Sequence, residues 1–124
     1  MSRVLVHEPR PLPTPCTALL ADLGHDIVLC RNREAVLEAM AAGRPDVVVY
    51  VLHDLVVDLG VLSLVRRIAP TLPIILLGGP AGLAERRSVQ ELKPTYYGVF
   101  PLEPAELRDA VRGALDHHGR ALAS

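Results

Sequence analysis

Val47-Val48-Val49-Tyr50-Val51-Leu52, introduced by Pro45-Asp46 and followed by His53-Asp54, is the longest β-branched apolar run in the chain. It does not alternate polar and apolar residues. A strand with one wet face alternates, whereas a strand buried on both faces, as in a parallel sheet, does not. Val4-Leu5-Val6, Ile27-Val28-Leu29 and Ile74-Ile75-Leu76-Leu77 repeat the pattern, and Tyr96 to Phe100 is a less apolar fifth run.

Helical patterns separate these runs. Thr14 is placed to cap a first helix with Pro15 at its first position, where a missing N–H costs nothing. Leu19, Leu20 and Leu23 share one face, and Gly24 supplies the stop. Asn32 is placed to cap a second helix that carries Val36, Leu37 and Met40 inward and ends before Gly43. A third puts Val61, Leu62, Val65 and Ile68 at helical spacing before Pro70. A fourth spans about Leu83 to Leu92 and stops before Pro94. A fifth, from about Pro104 to Asp116, sets Leu107, Ala110, Val111 and Leu115 on one face. Strict β-α alternation with right-handed crossovers makes a doubly wound α/β domain, a parallel sheet with helices on both sides.

The 124 residues suffice for one core and one domain, read here as 1–116, with 117–124 as a tail or the start of a linker. Thirteen basic against fourteen acidic residues give a net charge of −1, and aromatics make up only 3%. A near-neutral chain so poor in stacking residues is not built to bind nucleic acid. Arg66-Arg67 and Arg86-Arg87 read as solvated faces. No apolar stretch approaches the roughly 20 residues of a membrane span, so no membrane is expected as a partner. Cys16 and Cys30 form no disulfide framework and no zinc spacing, which points to a reducing, cytoplasmic setting with both thiols packed as small hydrophobes.

In this order and spacing the segments resemble the receiver domain of two-component response regulators, a flavodoxin-like (CheY-like) fold with five strands in the order 2-1-3-4-5 and five helices. The residues that carry the resemblance are Val4-Leu5-Val6-His7-Glu8-Pro9, Leu23-Gly24-His25, Pro45-Asp46-Val47-Val48-Val49-Tyr50, Leu72-Pro73-Ile74-Ile75-Leu76-Leu77 and Phe100-Pro101-Leu102-Glu103-Pro104-Ala105-Glu106-Leu107. The chemistry departs from the family. Val51 stands where the phosphoacceptor carboxylate is expected, and an isopropyl group cannot attack phosphorus. His7-Glu8 replaces the acidic pair that would hold Mg²⁺, leaving one hard oxygen ligand. Gly78 stands at the hydroxyl position and Phe100 at the lysine position. Phosphoryl transfer rests on positioning and charge stabilisation, so the resemblance implies a degenerate, non-enzymatic pseudo-receiver.

The resemblance also implies the mode of action. The partner would be another signalling protein or an output domain. The face of the fourth helix, fifth strand and fifth helix would be the docking surface or a homodimer contact, with Tyr96, Tyr97, Leu107 and Val111 upon it and Tyr97 as the aromatic switch. Asp54 and Asp58 are candidates for a displaced acceptor, expected instead to be solvated loop or cap acids. His7, Glu8, His53 and Asp54 should gather at the switch point of the sheet and are candidate ligands for a divalent metal, expected instead to be hydrogen-bonded or hydrated remnants. Gly78-Gly79-Pro80-Ala81-Gly82, with Arg3-Val4-Leu5-Val6, Gly24-His25-Asp26-Ile27 and Pro45-Asp46-Val47-Val48, also resembles cobalamin-binding domains, though the D-x-H-x-x-G motif is absent. No cofactor is therefore expected. His117 and His118 suit the negative pole of the last helix.

Overall fold

In the computed structural model, residues 2–10, 12, 15–79 and 83–123 are described, without the side chains of Asp22, Leu83, Ala84 and 117–123. Five strands, β1 (Arg3–His7), β2 (Asp26–Cys30), β3 (Val47–Val51), β4 (Ile74–Gly78) and β5 (Tyr96–Val99), form one sheet in the order β2-β1-β3-β4-β5. Every pair is parallel; Leu5 lies opposite Val48, Val49 opposite Ile75, and Leu76 opposite Tyr97. The intervening helices are α1 (Cys16–Leu20, continued by a 3₁₀ turn, Ala21–Leu23), α2 (Arg33–Ala42), α3 (Leu55–Ile68), α4 (Leu83–Glu91) and α5 (Pro104–Ala123). This is the CheY-like, flavodoxin-like architecture expected from the sequence.

All five residues of β3 and all five of β4 are buried, as their unbroken apolar runs require. Successive side chains leave a strand on opposite faces. Leu5, Val48, Tyr50, Ile74 and Leu76 therefore join Val36, Met40, Leu62 and Val65 in one core beneath α2 and α3. Val6, Val47, Val49, Val51, Ile75 and Leu77 join Cys16, Leu20, Leu107 and Val111 in the other, beneath α1 and α5. Cys16 and Cys30 are free and buried, and burial together with Glu8 raises the Cys16 thiol to about 12.

The helix ends follow their sequence signals, with local departures. Asn32 Oδ1 accepts from Ala35 N at 2.8 Å, as a cap should. Helix α1 begins at Cys16 with Pro15 as the residue that flanks it, and Thr14, the expected cap, lies outside the described residues. Ile68 is exposed, because the inward stripe of α3 is centred on Leu62, Val65 and Ala69 and Ile68 lies beyond its edge. Backbone of α5 stays helical through Ala123, past the end expected at Asp116. At the amino-terminal edge of β4, the Arg66 guanidinium donates to the carbonyls of Leu92 (2.9 Å), Leu72 (2.6 Å), Pro70 (3.1 Å) and Lys93 (3.3 Å), tying α3 to the loops around α4.

Gly24 ends the 3₁₀ turn at φ +75°, in the left-handed region that side chains with a Cβ resist. A Cβ there would meet no neighbour, so the penalty is one of backbone alone. Gly24→Ala should lower unfolding free energy by about 1–2 kcal/mol in urea titration, with the denaturant slope unchanged.

Candidate functional site

The carboxyl ends of β1 and β3 lie side by side, and there the chain changes direction across the sheet. His7 closes β1 and Glu8 follows it. Both are essentially inaccessible, and they depart to opposite faces. The His7 ring stacks on Tyr50, with centroids 4.0 Å apart, and Nδ1 lies 3.1 Å from the Val51 carbonyl oxygen. Burial holds the imidazole below its usual pKa, so it is neutral and Nδ1 donates. The Glu8 carboxylate turns to the other face, where Oε1 accepts from Cys16 N at 2.9 Å and caps α1. Its Oε2 lies 3.7 Å from the Arg31 guanidinium.

His53 is exposed, with Nε2 3.2 Å from Arg10 Nη2. Asp54 is also exposed; its Oδ1 lies 3.5 Å from Val57 N, as the cap of α3. Among the described residues, no three His, Cys, Asp or Glu side chains stand together to hold a metal ion. The residues do not fit the Mg²⁺ that the resemblance implies: one acid caps a helix, the imidazole is committed to a carbonyl, and the other two candidates point to solvent. Val51 ends β3 with its side chain in the core beneath α5.

The carboxylate at the heart of this end is Asp58. It is fully buried, contrary to the expectation of a solvated acid. The Tyr50 hydroxyl donates to Oδ1 at 2.7 Å and Arg33 Nε at 3.0 Å. Oδ2 accepts the backbone N–H groups of His53 at 2.7 Å and Asp54 at 2.9 Å. Burial by itself raises the carboxyl pKa, and the donors from His53, Tyr50, Arg33 and Asp54 overcome it, so the group sits below the ordinary value. The same contact pushes the Tyr50 hydroxyl far up: burial first, then its bond to Asp58. Arg10, Arg31, Arg33 and Tyr50 were not legible as parts of this end. The available signals were a lone Tyr in a valine run, which needs a partner when buried, and an acid one helical turn after the Asp54 cap.

At the ends of β4 and β5, Tyr97 lies over Gly78. A Cβ on residue 78 would come within 3.2 Å of the Tyr97 hydroxyl and 3.3 Å of Leu52 Cδ1. That hydroxyl donates to the Gly79 carbonyl at 3.1 Å. Pro80 to Gly82 lie outside the described residues. The cavity here, about 170 Å³ and lined by Leu52, His53, Gly79 and Tyr97 among others, is below the roughly 300 Å³ at which small-molecule pockets begin. Phe100 is partly buried and packs against the core beneath α5. On the α4–β5–α5 side, Tyr96 and Tyr97 are half-buried and the Tyr96 hydroxyl donates to Glu106. Leu107 and Val111, expected on that surface, are fully buried; their spacing is that of the inward stripe of α5. A groove of about 260 Å³ opens there between Arg86, Val89, Gln90, Tyr97 and Val99.

No family model and no curated protein matches the chain. Solved structures do. The signal receiver domain of an HD domain-containing protein from Pseudomonas fluorescens Pf-5 superposes with a TM-score of 0.86 at 22% identity, covering 98% of this chain and 92% of that one. A CheY-like response regulator receiver domain from Methanospirillum hungatei JF-1 gives 0.81 at 16%, covering 98% of each. NtrX from Brucella abortus gives 0.83 at 17%; 98% of this chain matches 29% of that protein. The fold is thus that of response regulator receiver domains. Among the described residues, no helix is long and apolar enough to cross a membrane.

The Asp58 network predicts a specific pH dependence. Because the folded pKa lies below the ordinary value of about 3.8, the stability it contributes is complete above that value and is lost as pH falls through the folded pKa. Asp58→Asn should cost about 3 kcal/mol at neutral pH and flatten the fall in urea midpoint between roughly pH 5 and pH 2. Tyr50→Phe, which removes one donor of four, should cost about 1 kcal/mol.

Proposed function

We propose that this chain is a pseudo-receiver, a non-enzymatic signalling module that acts by binding a protein partner without being phosphorylated. The observation that carries this reading is the state of Val51 and Asp58. An aliphatic side chain occupies the end of β3, and the nearby buried carboxylate already accepts four hydrogen bonds. Asp54 is available to solvent but has no lysine at the position Phe100 fills, where a partly buried ring packs against the core. Phosphoryl transfer needs an attacking oxygen together with cationic or metal stabilisation of the transferred group.

The docking surface in this reading is the α4–β5–α5 side, where Arg86, Gln90, Tyr97 and Val99 line an open groove. Tyr97 is held over Gly78, which offers it no side-chain hydroxyl to follow, and this favours one constitutive state over a switch. The partner is a signalling protein or an output domain. The same proposal takes 1–116 as the receiver-like body, 117–124 as the approach to a linker, and the cytoplasm as its location.

Intact-protein mass after incubation with Mg²⁺ and acetyl phosphate, beside an active receiver, tests the reading. The mass is expected to stay unchanged; a single phosphoryl adduct overturns the proposal, and mapping it to Asp54 or Asp58 identifies the acceptor. Val51→Asp is expected to remain unlabelled as well, because His7, Glu8 and Phe100 supply neither the metal site nor the cation. It should also unfold at lower urea, since it places an unpaired carboxylate in the core.

A further inference from the structure

Among the described residues, six large apolar side chains are exposed, and four of them stand on α3: Val56, Val57, Leu64 and Ile68. Val56 is 81% exposed. Val57, Leu64 and Ile68 recur at i, i+7 and i+11, so they form one stripe along the helix. Beside the stripe lies Gly60, where an added Cβ would meet nothing within 4 Å. Leu59, Ser63 and Arg66 belong instead to the flank that borders α4.

We propose that this face of α3 binds a second copy of the chain, the two helices antiparallel about a two-fold axis. The stripe is complementary to itself. An axis between Val61 and Leu64 sets each Leu64 into the notch framed by Val57, Gly60 and Val61 of the other copy, and each Ile68 over the other Val57. That is knob-into-hole geometry, and a residue without a side chain lets the helices approach closely. Charge selects the antiparallel sense. The amino-terminal end of α3 carries exposed Asp54 with Glu34 in the adjoining first turn of α2, and the Arg33–Asp58 ion pair at 3.0 Å fixes the two turns together. The carboxyl-terminal end carries exposed Arg67. Antiparallel helices bring Arg67 of each copy toward Asp54 and Glu34 of the other and oppose the two macrodipoles, whereas parallel helices stack like on like.

One helix pair falls at the small end of protein interfaces, below about 1,200 Å², where association is transient. The dimer therefore forms with rising concentration. This inference does not depend on the pseudo-receiver reading, and it leaves the α4–β5–α5 side open to a different partner.

Sedimentation equilibrium of the full chain, from roughly 10 μM to roughly 1 mM, tests it. The wild-type mass should climb from 13.4 kDa toward twice that value. Leu64→Glu should stay at 13.4 kDa throughout. Gly60→Gln should also stay monomeric while melting at or above the wild-type temperature, because glutamine favours a helix more than glycine does; loss of association then cannot be loss of fold. A wild type that remains monomeric to the highest concentration overturns the proposal. So does association retained in both variants, or association removed by Val99→Asp and not by Leu64→Glu, which would put the contact on β5.

Discussion

The turn from β3 into α3 is arranged around one buried carboxylate. Asp58 has no contact with water, and a lone carboxylate in such a place would be far from stable as a charge. Its four donors come from three places: β3 through Tyr50, α2 through Arg33, and the turn into α3 through the N–H groups of His53 and Asp54. Each oxygen accepts two hydrogen bonds. The ion pair with Arg33 is only partly shielded; the bonds to backbone and hydroxyl are the ones that hold the turn. Because the acceptor lies on the first turn of α3, the helix cannot shift along the sheet without breaking them.

The other polar residues of this end are committed in the same way. Glu8 caps α1, His7 bonds the last carbonyl of β3, and Asp54 caps α3. Residues that could have met around a shared ion are each used by a separate piece of backbone. The polar side chains of this end are thus largely paired within the fold.

The strands were legible because burial on both faces leaves its mark on single residues: Val47 to Val51 and Ile74 to Leu77 admit no polar position. The helix ends were legible at Asn32 and Gly24, where the signal is local. What escaped was tertiary. An acid at position 58 reads as solvent-facing until Tyr50 and Arg33, distant along the chain or on another element, are brought to it. Leu107 and Val111 were assigned to a surface because the resembling family uses that side of the fold, while their own spacing already marked them as core. Ile68 erred in the opposite direction, since an apolar residue at the end of an inward stripe need not face inward.

The disposition of the three tyrosines has an optical consequence. The chain contains no tryptophan, so tyrosine alone sets its near-ultraviolet emission. Tyr50 and Tyr96 each donate to a carboxylate, an arrangement that drains the excited state of the phenol. Tyr97 donates to a backbone carbonyl instead and lines the groove between α4 and β5. Tyr97 thus sets a phenol on the face where the groove opens, and a molecule bound there would act on its emission without any label attached.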